Sequence, residues 1–457
     1  MNDFPETTVL QQYRALEKEL YSLIGPVKFS SEINLRLERM SQLLGLLDNP
    51  HYKFRSIHVG GTSGKGSTST MIATILQEAG FYVGLHTSPN LQVLNERHML
   101  NGRPAATSRL AKLYAEMKPA IEEVGRTSPF GKPSYFEAQI ALTFMLFAAE
   151  KVDFAVIEVG LGGARDATNV LPAEVAVLNN VGLDHVEILG DTVEKIVLDK
   201  RGIIKHRQQV VSGVTQPTVI ELVEEKCAEK QARLWLLGRD FNLTAESDGY
   251  SIALPDVTYD GIKIKMEGAF QATNAAVAVA AVSSLHEVTL PYSAILNGLA
   301  KASIPGRVEQ VQTEPLVLLD GAHNPDKIQA AVGIIEMKLA EQQPGQKVYT
   351  ILGLKAGKAA TDILPPVMAL SDEMFFTQFE PKGLWNGVPA EELGQLAAVI
   401  APDMPVHVVP NALDALQLAL GKASKDDVVW ITGSLYLVGD LREHWFSTVE
   451  LLESYED

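Results

Sequence analysis

Apolar positions recur at helical spacing near the start of the chain. Within 9–47, Leu35, Leu37, Met40, Leu43, Leu44 and Leu46 share one face and predict amphipathic helical material. The pattern then changes period. Ile57 and Val59 read as a strand, Gly60 to Thr68 is a run of small and polar residues, and Met71, Ile72, Ile75 and Leu76 mark one buried helix face. Strand, glycine-rich turn and helix so occupy 55–79. Val83 to Thr87 predicts a further strand and 108–124 a polar helix. Lys132, Pro133 and Ser134 open a strongly apolar helix, in which Ser134 and Glu137 have capping-box spacing. Phe154 to Val159 and Val175 to Leu178 are uninterrupted apolar runs, the pattern of strands covered on both faces.

Short alternating segments at 244–265, with a turn expected at Asp260-Gly261, predict a small antiparallel excursion. An Ala/Val-rich helix follows Gln271 to Asn274, and Pro305, Gly306 and Arg307 interrupt the chain. From about 309 a second alternation begins, with strands near Leu316–Leu319, Val348–Leu352, Met374–Thr377, Val406–Val409 and Val428–Ile431, and helices between them and after Ser434. The expected fold class is α/β: a P-loop-type parallel-sheet ATPase domain over 1–306 and a smaller Rossmann-like C-terminal α/β domain over 307–457. No G-x-G-x-x-G follows the first strand of the second part, so a dinucleotide role is not expected there.

Composition narrows the function. A length of 457 residues, 46% hydrophobic and 21% charged, is that of an ordinary globular protein with two or three cores. A formal charge of −17 argues against broad binding to nucleic acid or an anionic membrane. The single cysteine, Cys227, excludes an internal disulfide and a cysteine-based metal cluster. The first residues have neither a basic nor an apolar signal region, and the longest apolar stretch, Ile140 to Ala149, is about half of what a bilayer span requires. A cytoplasmic location is expected.

The stretch from Gly60 to Thr68 carries the chemistry. Backbone N–H groups in a glycine-rich turn approach an anion closely, and the helix N-terminus adds positive potential. Lys65 is placed to reach outer phosphates, with the hydroxyl of Ser67 beyond it for Mg²⁺. The strict G-x-x-x-x-G-K-[ST] spelling is not met, because Val59 stands at the first glycine and Gly66 separates Lys65 from Ser67. Glu158 ends a buried strand beside a glycine run, a position that suits Mg²⁺ in nucleotide enzymes. His185 follows the next strand and makes a second cation site the better reading. Lys200 falls on a helix directed back toward the same sheet edge, where periodicity alone gives it no distinction.

Motifs spread in order over nearly the whole chain resemble those of the folylpolyglutamate synthase/dihydrofolate synthase family of the Mur ligase superfamily. They are Leu37 to Met40, Gly61 to Ser67, Ser88-Pro89, Glu96-Arg97 with Asn101-Gly102, and Tyr135 to Glu137. They continue with Glu158 to Gly163, Asp166 to Asn169, Leu183 to His185, Lys200 with Gly202-Ile203, Pro305 to Arg307, Asp320 to Pro325 and Gly433 to Tyr436. The Gly66 spelling is the family's own. The resemblance implies an ATP-dependent amide ligase that phosphorylates a folate or dihydropteroate carboxylate and lets the amine of L-glutamate attack the acyl phosphate. It implies that Gly61, Thr62, Ser63, Gly64, Lys65, Gly66 and Ser67 bind ATP together with Asn274, Arg307 and Asp320, and that two Mg²⁺ ions serve the reaction. Ser67 and Glu158 would hold the first ion and His185 the second, aided by Lys200 if it is carbamylated. Lys65, Lys200, Arg307 and His323 are the expected catalytic residues. Phe136 and Asp166 are expected at the pterin, and His323 and Ser434 at glutamate. A monomer is expected.

Several positions depart from the family pattern: Ser63 in place of Asn, Asn90 in place of His, Ala164-Arg165 in place of Arg-Leu, Phe270 in place of His, and Gly357-Lys358. None removes a cation ligand or the phosphate lysine. A Mur-type ligase for a non-pterin carboxylate and a non-catalytic nucleotide-dependent binding module are the alternatives. Replacing Lys65 or Glu158 with Ala should abolish ATP-dependent ligation while leaving the fold intact, and full turnover in either variant would overturn the assignment.

Overall fold

A computed structural model of the chain describes residues 8–25, 37–340, 345–357, 359–380 and 386–456. Leu35 and Lys358, and the first seven residues, lie outside these. The chain forms two compact units. One comprises Met1–Asn90, Leu94–Ser303 and Leu452–Asp457, the other Leu91–Val93 and Ile304–Leu451.

The first unit is built on an eight-stranded sheet. Its strands run in the order Arg103–Pro104, Met99–Leu100, Val83–His86, Phe154–Glu158, Arg55–Gly60, Val175–Leu178, Gln209–Ser212, Arg233–Leu236. All neighbours are parallel except at the short strands Met99–Leu100 and Arg103–Pro104. The residues of Phe154–Glu158, Val175–Leu178 and Gln209–Ser212 are buried throughout, which is why the first two read as apolar runs rather than as alternation. Helix Lys65–Glu78 packs Met71, Ile72, Ile75 and Leu76 inward, and helix Tyr292–Lys301 approaches it so closely that a Cβ on Gly298 would lie 2.6 Å from the Ile75 Cα. Helix Phe270–Ser283 buries Ala275 to Val282 without a polar face.

In the N-terminal helices, Met40, Leu43 and Leu44 of Leu37–Leu46 are buried as expected, but Leu46 is 50% exposed, having rotated past the edge of the stripe. The three-stranded antiparallel excursion forms from Asn242–Glu246, Gly249–Ala253 and Thr258–Ile262. Its turn is not at Asp260-Gly261. Those residues lie within the last strand, where the pairing jumps from Ile252 with Tyr259 to Tyr250 with Ile262, and Gly261 takes φ +67. Asp-Gly here marks a bulge, which a single sequence does not distinguish from a hairpin turn.

The second unit has a six-stranded sheet in the order Glu309–Thr313, Leu316–Leu319, Val428–Thr432, Val348–Leu352, Glu373–Gln378, Val406–Asn411. The first strand, not anticipated, pairs antiparallel with the second, and the others are parallel. Two apolar clusters cover its faces, one around Trp430, Phe376 and Ile335 and the other around Phe375, Ile351 and Leu437. Among the described residues no helix is long and apolar enough to cross a membrane.

One buried ion pair sets the entry of helix Tyr135–Glu150. Ser134 is its N-cap in a full capping box: the Glu137 N–H donates to Ser134 Oγ at 3.3 Å, and the Ser134 N–H donates to Glu137 Oε2 at 2.8 Å. The same carboxylate accepts from Arg39 of helix Leu37–Leu46, at 3.0 Å from Nε and 2.5 Å from the terminal nitrogen, and both side chains are 5% exposed. Arg39→Met would strand Glu137 without its cation and should cost about 3 kcal/mol or more. Ser134→Ala should cost only about 1 kcal/mol. Denaturant unfolding of both variants checks the ranking, which fails if Ser134→Ala is the more damaging.

Candidate active site

Strand Arg55–Gly60 lies between Phe154–Glu158 and Val175–Leu178, with Val59 level with Glu158 and Gly60 level with Leu178. The parallel register brings the glycine turn, Glu158 and Asn179-Asn180 to one carboxyl edge. There the chain after Val175–Leu178 holds the turn like a latch. The Asn180 carbonyl accepts from Thr62 N–H at 2.8 Å, and its side-chain oxygen accepts from Ser63 N–H at 2.7 Å. Asn179 Nδ2 donates to the Ser63 carbonyl at 3.1 Å and to Asn274 Oδ1 at 2.8 Å, and Asn274 donates onward to Gln271 at 2.8 Å. Gly64 caps helix Lys65–Glu78 with φ +79, and any side chain there would collide with Asn179 and Asn274.

Two lysines converge on this turn. Lys65 Nζ donates to the carbonyls of Gly61 at 3.2 Å and Thr62 at 3.3 Å, and Lys200 Nζ donates to the same Gly61 carbonyl at 2.9 Å. Lys200 is only 4% exposed, on the last turn of helix Val193–Lys200. Burial first, and the Lys65 charge second, hold its pKa down to about 7 against the pull of Asp184, Asp199 and Asp166. The structure therefore places Lys65, Ser63, Gly64, Asn274 and Lys200 together.

Glu158 is buried, and its Oε2 accepts from the Ser88 N–H at 3.0 Å. His185 sits in an exposed turn with φ 49, its Nδ1 3.6 Å from Glu187 and its Nε2 4.0 Å from Asp184. Among the described residues no three His, Cys, Asp or Glu side chains gather as ligands for an ion. Phe136, half-buried at the start of its helix, packs across Gly160, where a Cβ would press into the ring. Asp166 is buried and turned into its own loop: Oδ2 accepts from Leu161 N–H and Oδ1 from Thr168 N–H, both at 2.9 Å, and from the Thr168 hydroxyl. Burial pushes its pKa up against these donors. Asn90, one of the departures from the family, accepts from Arg97 Nε at 2.7 Å, and that guanidinium lies 5.8 Å over the Tyr135 ring.

The second unit presents Asp320 and Ser434 after the adjacent parallel strands Leu316–Leu319 and Val428–Thr432. Asp320 accepts from Ala322 N–H at 2.9 Å and Val308 N–H at 3.3 Å. Burial pushes its pKa up while the Arg307 charge opposes the shift. His323 Nδ1 lies 2.9 Å from the Gly321 carbonyl, which can only accept, so Nδ1 carries the proton and Nε2 faces Lys327 Nζ at 3.4 Å. Ser434 caps helix Leu435–Arg442 by accepting from Tyr436 N–H at 3.1 Å. Asn179, Asn180 and Gln271 are given no site role by the sequence. The usable signal was two consecutive amides at the carboxyl end of the strand beside the glycine turn.

Fold and turn define the class: an ATP-dependent ligase with a Mur ligase middle domain, whose family model matches residues 59–282, while the model for the dihydrofolate synthetase C-terminal domain matches 306–444. The Bacillus subtilis dihydrofolate synthase/folylpolyglutamate synthase is 33% identical over 92% of this chain and 96% of its own length. The chain belongs to the dihydrofolate synthase/folylpolyglutamate synthase family. The solved Mycobacterium tuberculosis folylpolyglutamate synthase complexed with ADP superposes with a TM-score of 0.86 at 28% identity, covering 96% of this chain and 99% of that one. The bifunctional Yersinia pestis enzyme complexed with AMPPNP and Mn ion gives 0.79 at 28% identity, covering 94% and 97%. These findings favour the folate-ligase reading over both alternatives.

Between about pH 7 and the ordinary lysine value of 10.5, the unfolded chain binds the Lys200 proton that the folded chain has lost. This site therefore makes stability rise with pH across that window. Lys200→Met removes the buried ammonium, so its stability relative to wild type should be highest below pH 7 and fall toward pH 10.5. Denaturant unfolding across this range tests it, and a difference flat with pH would refute the burial of a titrating Lys200.

Proposed function

We propose that this chain adds L-glutamate to the carboxylate of dihydropteroate or a folate, using ATP to convert that carboxylate to an acyl phosphate. The convergence of Lys65 and Lys200 on the Gly61 carbonyl carries the reading, because it brings two lysine side chains to a glycine turn at the carboxyl edge of the sheet. Such a site works by positioning and charge stabilisation. The reaction joins two anions, a carboxylate and a phosphoryl group, and their mutual repulsion is the barrier this arrangement lowers.

In this mechanism the N–H groups of the turn and of the first turn of helix Lys65–Glu78 cradle the phosphates, while Lys65 swings from the loop carbonyls to the outer phosphate oxygens. Asn274, fixed through Asn179, borders the base. Hard oxygen donors suit Mg²⁺, and Ser67 and Glu158 would hold one ion; His185 would hold a second through a ring nitrogen. Bound Mg²⁺ supplies neutralisation of phosphate charge. A low pKa leaves much of Lys200 as the free amine near neutral pH, the form that reacts with CO₂, and a carbamate there would turn its cationic tip into a further oxygen donor. With few acidic side chains gathered, the remaining ligands would be water and the nucleotide's own oxygens.

On the acceptor side, Phe136 offers a ring face for a flat heterocycle, and Asp166 shapes the loop beside it. The second unit is proposed to bind glutamate. Ser434 and His323 would contact the amino acid, Arg307 and His323 the phosphate, and Asp320 the nucleotide. His323 keeps a proton on Nδ1 for the Gly321 carbonyl and turns Nε2 toward Lys327.

ADP release from the purified chain with Mg²⁺ and ATP should require both L-glutamate and a pterin acceptor. Dihydropteroate and tetrahydrofolate are the acceptors to compare. Turnover with neither, but with an unrelated carboxylate, would overturn the proposal. Lys65→Ala should reduce turnover by about 100-fold or more, with glutamate dependence retained in the residual rate.

A further inference from the structure

We propose that Lys205 is a positioning residue that clamps the acceptor-side loop, Gly160 to Ala173, against the segment carrying Lys200. The inference rests on the reading of that loop as the acceptor wall. After the short 3-10 helix Ala167–Val170 the chain runs on with carbonyls that no helix bond takes up. Lys205 Nζ donates to the Asn169 carbonyl at 2.7 Å and also to that of Leu171. Gln208 continues the series: its Nε2 donates to the Ala173 carbonyl at 2.7 Å, and its Oε1 accepts from the Lys205 N–H at 2.8 Å. Three alternate carbonyls of one loop are so captured by two side chains of another.

The reverse contacts close the zip. Asn169 Nδ2 donates to the carbonyls of Ala164 at 2.9 Å and Gly202 at 3.2 Å, and Ala164 N–H donates to that of Asp199 at 2.9 Å. Backbones touch along the same seam: a Cβ on Gly202 would lie 2.5 Å from the Ala164 Cα, and one on Gly163 would lie 2.8 Å from the Lys200 Cα. The clamp therefore fixes both the loop that bears Asp166 and the helix end that bears Lys200.

Lys205 is an unusual choice for a merely structural tie. Burial holds its pKa down to about 8, its partners are backbone carbonyls, and no carboxylate pairs with it among the described residues. Its charge is also felt by the buried imidazoles of His51 and His58, and His58 Nε2 is 2.8 Å from the Thr168 hydroxyl that donates to Asp166. An ammonium kept in such a place strengthens its hydrogen bonds to the carbonyls of the loop.

Hydrogen exchange of the full chain, with steady-state kinetics and ADP binding, tests the clamp in Lys205→Met, Lys205→Gln and Lys205→Arg. In Lys205→Met the amides of 167–171 should exchange faster and the acceptor KM should rise by about tenfold, with ADP affinity unchanged. Lys205→Arg should restore most of both, and Lys205→Gln, which keeps a donor without charge, stands in if Lys205→Met does not fold. Unchanged exchange in the loop would overturn the proposal, as would faster exchange with the loss falling equally on acceptor and nucleotide. The exchange arm uses no substrate, so it judges the clamp even if wild-type turnover with pterin acceptors fails.

Discussion

The Gly61 carbonyl is the point on which the first unit depends. It accepts from both Lys65 and Lys200, two side chains with nothing in common along the chain except that the parallel sheet delivers both to one edge. Lys200 is the deeper of the pair, and its burial first, with the neighbouring Lys65 charge second, holds its pKa down to about 7. A phosphate turn normally needs one lysine. A second, able to lose its charge near neutral pH, gives this turn an adjustable electrostatic environment that a simple phosphate loop lacks.

The turn keeps its shape through neighbours rather than through its own residues. Thr62 and Ser63 are addressed by Asn179 and Asn180, and Asn179 in turn secures Asn274. Because these amides sit where a parallel strand ends, their register is fixed by the ladder from Ile57–Val175 to Gly60–Leu178. Rigid elements thus hold a flexible glycine run in a defined geometry, which is the condition for electrostatic stabilisation without reorganisation.

Much of this was legible in the sequence, for identifiable reasons. Buried parallel strands are apolar at every position, so Phe154–Glu158 and Val175–Leu178 stood out, and the Ser134–Glu137 capping box formed as its spacing demanded. The Asp260-Gly261 bulge and the antiparallel strand Glu309–Thr313 were not legible, because turn chemistry and edge pairing depend on what lies across the sheet. For the candidate site, motif and position single out residues with intrinsic chemistry. Residues that act only by holding others were missed: Asn179, Asn180 and Arg39 have no local signature, and each makes its contacts across a large sequence separation.

Asp166 shows how holding and contacting merge. The resemblance places it at the pterin, yet here its carboxylate serves the N–H groups of Leu161 and Thr168 and the Thr168 hydroxyl. These donors oppose the upward push of burial on its pKa, and they tie the Leu161 end of the glycine run, against which Phe136 packs, to the 3-10 helix that holds Thr168. Its loop, in turn, is tied to the Lys200 segment through Ala164 and Asn169. The loop that bears Asp166 and the helix end that bears Lys200 are therefore parts of one hydrogen-bonded assembly, so the geometry of each constrains the other.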